Sequence, residues 1–247
     1  MGMFLLGLLG GVLAGLLLAA LEPVHRLIGR LARRTESAVT LHTETDPELI
    51  WAGQPDWMSF HYFLPPGARE SEPPQRPHAW RRWALDNGGW DCMESIVRLT
   101  IVGQLPVTVV LDAPIVQATR AQPPPGFVVV WPVGGADIVP REITVDIDNL
   151  AAPIVHAQAG IDEPLHFPLS ISPNEVEQII LRVRARSPGL YQWTAKLPVI
   201  VDGKRRYLDV REEGGKPFEF VGSDLEDWQL WTGHDWREPR IGDAMPR

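Results

Sequence analysis

Cysteine is almost missing from this chain. Cys92 is the single one among 247 residues, so no intrachain disulfide can form. That fits a reducing compartment such as a bacterial cytoplasm, although exported bacterial domains without disulfides are also common. No cysteine stands near the N-terminus for lipidation. Lysine is nearly as scarce: Lys196, Lys204 and Lys216 are the only three, and arginine dominates the basic set. With abundant Ala, Gly and Pro, this usage points to a GC-rich bacterial genome. Catalytic signatures are missing too. There is no G-x-x-x-x-G-K-[ST] phosphate loop, no G-x-G-x-x-G, no H-E-x-x-H and no G-x-S-x-G. A convergent triad leaves no local pattern, so that class alone stays open. The expectation is a non-enzymatic protein with no cofactor and no resident metal.

One long apolar run is present. Met3 to Leu21 reads MFLLGLLGGVLAGLLLAAL without a charge. A bilayer core about 30 Å thick takes roughly 20 such residues as a helix. Arg26, Arg30, Arg33 and Arg34 follow, offset only by Glu22. The segment 1–34 is therefore expected to be a transmembrane helix with a basic juxtamembrane collar. A cleaved signal peptide is the competing reading, but it wants a basic n-region and a small-x-small cleavage site. No Lys or Arg precedes the run, and Leu18-Ala19-Ala20 matches the cleavage pattern poorly. The arginine asymmetry predicts a single-pass protein of the bacterial cell membrane with its large domain in the cytoplasm. An uncleaved signal anchor would place that domain outside. The Arg residues suit lipid headgroups, each worth about 1 kcal/mol at an anionic surface. A plain stop-transfer collar explains them equally well.

Gly7, Gly11, Gly15 and Ala19 fall four apart and give the span a smooth stripe. Lipid supplies no hydrophobic drive between helices, so close contact of small residues must supply the attraction. The stripe predicts homo-oligomerisation or pairing with a membrane partner's helix. The competing reading is a Gly-rich span without a partner.

Beyond residue 34 the chain holds 19 basic and 30 acidic side chains, a balance of −11. Such a body is a poor nucleic-acid ligand, because that affinity comes mainly from neutralising phosphates. With 45% hydrophobic residues over all 247, the chain nonetheless has a folding composition. Frequent Pro argues against long helices. Short β-rich runs recur at 38–42, 58–63, 95–102, 106–111, 127–131, 142–147, 178–184, 190–201, 205–210 and 217–221. In three of them Val97, Leu99 and Ile101, then Ile143, Val145 and Ile147, then Leu181 and Val183 alternate with polar residues. One dry and one wet face predict a sandwich of antiparallel sheets over 35–222. A Pro-rich loop over 65–77 and a short helix over 78–86 interrupt it. Residues 223–247 form an acidic tail carrying Trp228, Trp231 and Trp236, in which Ser223 and Glu226 fit a capping box for a helix over 224–231.

Ser187-Pro-Gly-Leu-Tyr-Gln-Trp193 closes one alternating strand and opens the next. Gly189, Tyr191 and Trp193 resemble the Gly-x-Tyr-x-Cys of the tyrosine corner in immunoglobulin-like domains, with Trp193 at the Cys position. The resemblance covers roughly residues 142 to 221. It implies a mainly β, antiparallel immunoglobulin-like sandwich, with the Tyr hydroxyl bonded back to nearby backbone. It implies no activity. The layout also resembles actinobacterial single-pass membrane proteins, which adds no function.

Two clusters remain. His42, Glu44 and Asp46 alternate and would share one face of a strand, a conceivable metal set. Asp46-Pro47 starts a turn, however, and polar residues alternate on any exposed strand. The ten Trp residues offer a stacking platform for a glycan or small ligand, or simply core and interface bulk. The reading favoured is a membrane-anchored interaction or scaffolding module. It would associate through its helix and dock a protein through a sheet edge or the Pro-rich loop. An envelope-facing ligand-binding module using exposed Trp is the alternative.

Overall fold

The computed structural model describes residues 38–51, 60–75, 79–104, 107–131, 141–160, 163–223, 228–231 and 236–237. Its elements are β1 (Val39–Glu44), α1 (Pro47–Ile50), β2 (Phe60–Leu64), a 3-10 turn (Pro66–Glu70), α2 (Trp80–Asp86), β3 (Trp90–Cys92) and β4 (Glu94–Gly103). Then come β5 (Val109–Leu111), β6 (Ile115–Ala121), β7 (Phe127–Trp131), β8 (Glu142–Asp146), β9 (Ile154–Gly160), β10 (Glu163–Pro164) and β11 (Leu169–Ile171). The last are β12 (Val176–Arg184), β13 (Gly189–Val201), β14 (Lys204–Val210), β15 (Phe218–Gly222), β16 (Trp228–Trp231) and β17 (Trp236–Arg237).

The protein is mainly β, in two sheets. The first runs β1-β4-β12-β8-β9-β10. The second runs β11-β5-β13-β15-β3-β2-β7-β16-β17, with β6 and β14 also on β13. Strand β13 organises the second sheet. Both β6 and β15 pair with its first half, so they lie on opposite sides; β5 and β14 flank its second half in the same way. Its sequence explains this centrality. Tyr191, Trp193, Ala195, Leu197, Val199 and Val201 are buried on a strict alternation, while Gln192 and Lys196 face water.

The dry faces expected from the sequence meet between the sheets. Val97, Leu99, Ile101, Ile143, Val145, Ile147, Leu181 and Val183 are all fully buried there. A second apolar cluster lies on the other side of the first sheet. Ile96 and Ile180 project outward from β4 and β12 and are covered by Tyr62, Leu64, Phe127, Val129, Trp51 and Trp80. Fully burying one such side chain is worth about 1.5–3 kcal/mol. The described residues from Ile50 to Ala84 thus add a third layer rather than a fringe. Strands β2 and β3 lie inside the sheet path, between β15 and β7.

Three expectations need correction. The sheets are mixed: β8 runs parallel to β12, β15 to β3 and β16 to β7. Chain order explains the first of these, because β9 turns back from β8 before the chain reaches β12. The helix expected over 224–231 is overturned at Trp228–Trp231, which is a strand on the edge of β7. A helix that short would carry the whole cost of its nucleus, whereas a strand there pairs with β7 along an existing ladder. The strand set was also incomplete: β3, β6, β9, β10, β11, β16 and β17 are not among the expected runs. The short helix is present as Trp80–Asp86 and ends where Gly88 turns the chain at φ +73°. Among the described residues no helix is long and apolar enough to cross a membrane. The expected span, with Gly7, Gly11, Gly15 and Ala19 and the collar Arg26, Arg30, Arg33 and Arg34, lies outside the described residues.

Candidate docking edge

A sheet edge offers a row of unpaired amides and carbonyls, and proteins usually guard it with charge, proline or bulges. The outer edge of β14 is guarded by Lys204, Arg205 and Arg206, all exposed. The edge of β9 is not. Its first four residues are Ile154, Val155, His156 and Ala157, and its outer neighbour β10 pairs only with Gln158 and Gly160 before the register shifts. One further bond, from the Leu165 N–H to the Ala157 carbonyl (3.0 Å), ends the contact. In an antiparallel strand alternate residues turn both backbone groups to the same edge. The amide and carbonyl of Val155 therefore point outward beside the Ala157 carbonyl and meet no strand among the described residues. The side chains match this openness: Ile154 is 57% and Val155 45% exposed, and Leu150 in the preceding turn is 40% exposed.

Beside this edge lies a groove of about 740 Å³ on the outer face of the first sheet. Thr144, His156 and Gln158 line it, with Glu142 and Arg184 on one side and Glu163 and Pro164 on the other. A ladder of charges crosses the neighbouring strands. Arg182 reaches Glu94 at 2.6 Å and Glu142 at 3.3 Å, and the Thr144 hydroxyl donates to Glu142 at 2.9 Å. Burial works against the Arg182 charge, but Glu94 and then Glu142 outweigh it and hold its pKa above the usual guanidinium value. Arg184 pairs with Asp146 at 3.4 Å. The face is thus cross-braced and polar.

Glu94 also lines a small, partly open cleft with His61, Tyr62, Arg81, Asp91 and Cys92. Arg81 grips Asp91 with two nitrogens, at 3.0 and 2.9 Å. Burial lowers the His61 pKa, partly opposed by Glu94. Burial pushes the Cys92 thiol far up, which leaves an inert side chain rather than a nucleophile.

The residues singled out by sequence are placed as follows. The Tyr191 hydroxyl donates to the Ser187 carbonyl at 3.1 Å, four residues back, as the corner resemblance implied. A Cβ on Gly189 would stand 2.7 Å from the Arg120 Nε, so the corner packs tightly there. Trp193 is buried and stacks on Phe218, centroids 4.5 Å apart. The metal set dissolves into local structure. His42 is exposed on β1, the Glu44 carboxylate accepts the Thr45 and Asp46 amides, and the Asp46 carboxylate caps α1 through the Glu48 amide. Among the described residues no group of three His, Cys, Asp or Glu could hold a metal.

Of the two docking surfaces expected, the Pro-rich loop is tied down. The Trp80 indole donates to the Pro74 carbonyl at 2.8 Å and the Trp83 indole to the Ser71 hydroxyl at 3.0 Å. Trp51, Trp80 and Trp193 are buried, and Trp83 and Trp90 are half-buried, so these five form no open stacking platform. Sequence reasoning missed β9 itself. Its signal was the β-branched pair Ile154-Val155 between Pro153 and Gly160, without a clean alternation.

No protein family matches this chain, and no curated protein matches it. One solved structure, described as "X-ray structure of Northeast Structural Genomics Consortium target SoR45", is similar at a TM-score of 0.32 and 8% identity. The match covers 76% of this chain and 88% of that one. At that TM-score the likeness carries no argument about fold detail or function.

Proposed function

We propose that this is a membrane-anchored, non-enzymatic docking module. Its N-terminal helix would tether it and associate through the small-residue stripe. Its sandwich captures an extended segment of a partner protein as an added strand along β9. The observation that carries the docking is the unguarded edge at Ile154–Ala157, apolar and with outward backbone groups at Val155. Backbone pairing supplies affinity in that mode, and the adjoining groove, with Arg184 and Glu163, selects a polar side chain of the docked strand.

The scaffold is read as immunoglobulin-like. Supporting this are the order β1-β4-β12-β8 facing β6-β13-β14, which follows an ABED/CFG arrangement, and the Tyr191 corner. The parallel β8–β12 pair and the added β9 depart from that pattern.

A photo-reactive residue at position 155 of the full chain, in membranes of the bacterial host, tests the docking. One discrete protein adduct is expected there and none from position 115, which is exposed on β6. Equal labelling from the two positions would sink the reading.

A further inference from the structure

The three consecutive cations of the body stand at one hairpin. Lys204, Arg205 and Arg206 are all exposed and open β14 directly after the Asp202-Gly203 turn. Arg205 shares Asp112 at 2.8 Å, while Lys204 and Arg206 have no anionic partner among the described residues. This tip is basic on a body whose balance beyond residue 34 is −11.

Its place in the fold gives it a direction. The chain enters the sandwich at β1, where Val39 pairs with Gly103 and the Gln104 amide donates to the Ala38 carbonyl. A Cβ on Gly103 would stand 2.6 Å from the Ser172 carbonyl, so the first sheet touches β11 there. Ile171 of β11 pairs with Val109, Val109 with Val201, and Val201 with Lys204. The basic tip and the point of chain entry therefore share one end of the sandwich. The turn between β8 and β9 and the Tyr191 corner lie at the other end. Ala38 follows Arg34 by four chain steps, a reach of at most about 14 Å. Stacked sheets lie about 10 Å apart. A bilayer that holds Arg34 in its headgroups thus lies within about 14 Å of Ala38, at the end of the sandwich that also carries the hairpin tip.

We propose that this tip is a second membrane foot: Lys204, Arg205 and Arg206 rest on anionic lipid headgroups of the bilayer that carries the N-terminal helix. The proposal rests on the anchored reading above. The foot works against the repulsion of an acidic body. It sets the sandwich upright, with its strands running away from the membrane. Asp202 and Glu175 stand at the same end and weaken the attraction, and Asp112 already pairs with Arg205, so the two cations left to meet headgroups are Lys204 and Arg206. Tyr207, half exposed next on the strand, suits the headgroup level.

Amide hydrogen exchange on the full chain in lipid nanodiscs tests this. In discs containing phosphatidylglycerol, amides of 202–206 exchange at least about fivefold more slowly than in phosphatidylcholine discs, the factor expected for one cation at an anionic surface. Amides of 148–152, at the far end, do not change. Replacing Lys204, Arg205 and Arg206 together by Gln removes the difference and leaves urea unfolding as it was. Exchange at 202–206 that ignores lipid charge, in a protein that co-floats with the discs, overturns the foot and leaves the patch to an acidic protein surface. A chain that does not co-float overturns the anchor, and the foot with it.

Discussion

Tyr191 shows how one side chain secures a corner. Its ring stacks on Phe220 at 5.2 Å and its hydroxyl donates to the Ser187 carbonyl. Tyr191→Phe keeps the ring and loses the bond, and should cost about 1 kcal/mol in urea unfolding. An unchanged midpoint would show that the bond contributes nothing. Arg182 is a harder case, because it holds two carboxylates. Arg182→Met leaves Glu94 and Glu142 facing each other with little water and should cost about 3 kcal/mol. Adding Glu94→Gln and Glu142→Gln should recover most of that loss; failure to recover would assign the cost to packing instead. His61 makes stability depend on pH. Burial lowers its folded pKa below the ordinary 6.5. Between those two values the unfolded chain holds a proton that the folded one refuses, so stability is complete above 6.5 and falls as pH drops below it. His61→Gln should flatten that slope below pH 6.5, read from urea midpoints. A slope identical in the variant would point to other groups. None of the three roles was visible in sequence order alone. Arg182 is separated from Glu94 by 88 residues, and only strand pairing makes them neighbours.

Among the elements, β9 carries the docking proposal. Its contrast with β14 is chemical: Ile154 and Val155 against Lys204 and Arg206. Val155→Lys places a charge on the free edge and should abolish the position-specific adduct formed there, with the photo-reactive residue moved to 154. Stability should stay within about 0.5 kcal/mol, since the side chain is nearly half exposed. Loss of folding would instead make β9 a structural strand. Elements with a clean alternation were legible in the sequence. Strand β4 buries Val97, Leu99 and Ile101 as its pattern required. Strand β6 was not, because Ile115-Val-Gln-Ala-Thr-Arg-Ala121 is exposed over most of its length and turns only Val116 and Ala118, both partly buried, toward the core. It is a strand because β13 presents it with backbone partners.

At the scale of the whole molecule, the anchored reading makes two demands. Gly11→Leu should weaken self-association of the span in a membrane reporter, because a leucine holds the helix backbones apart. Association that survives the change would remove the stripe from the account. The domain should also lie on the cytoplasmic side, so a C-terminal tag should resist protease in intact spheroplasts. A digested tag would reverse the orientation and place the β9 edge outside the cell.

The sequence by itself determined the β class, the positions of most strands, the short helix and the Tyr191 corner. Each of these depends on neighbours within a few residues: alternation, a turn, a glycine. It also carried the expectation of a membrane span, through an unbroken run of side chains that water disfavours. Only the tertiary structure decided that β8 runs parallel to β12, that Trp228–Trp231 is a strand, and that the Pro-rich loop is pinned by Trp80 and Trp83. It alone set the basic hairpin at the end where the chain enters, and left the first half of β9 without an outer strand among the described residues. Those outcomes depend on which backbone groups find partners across the chain, and local pattern does not specify that choice.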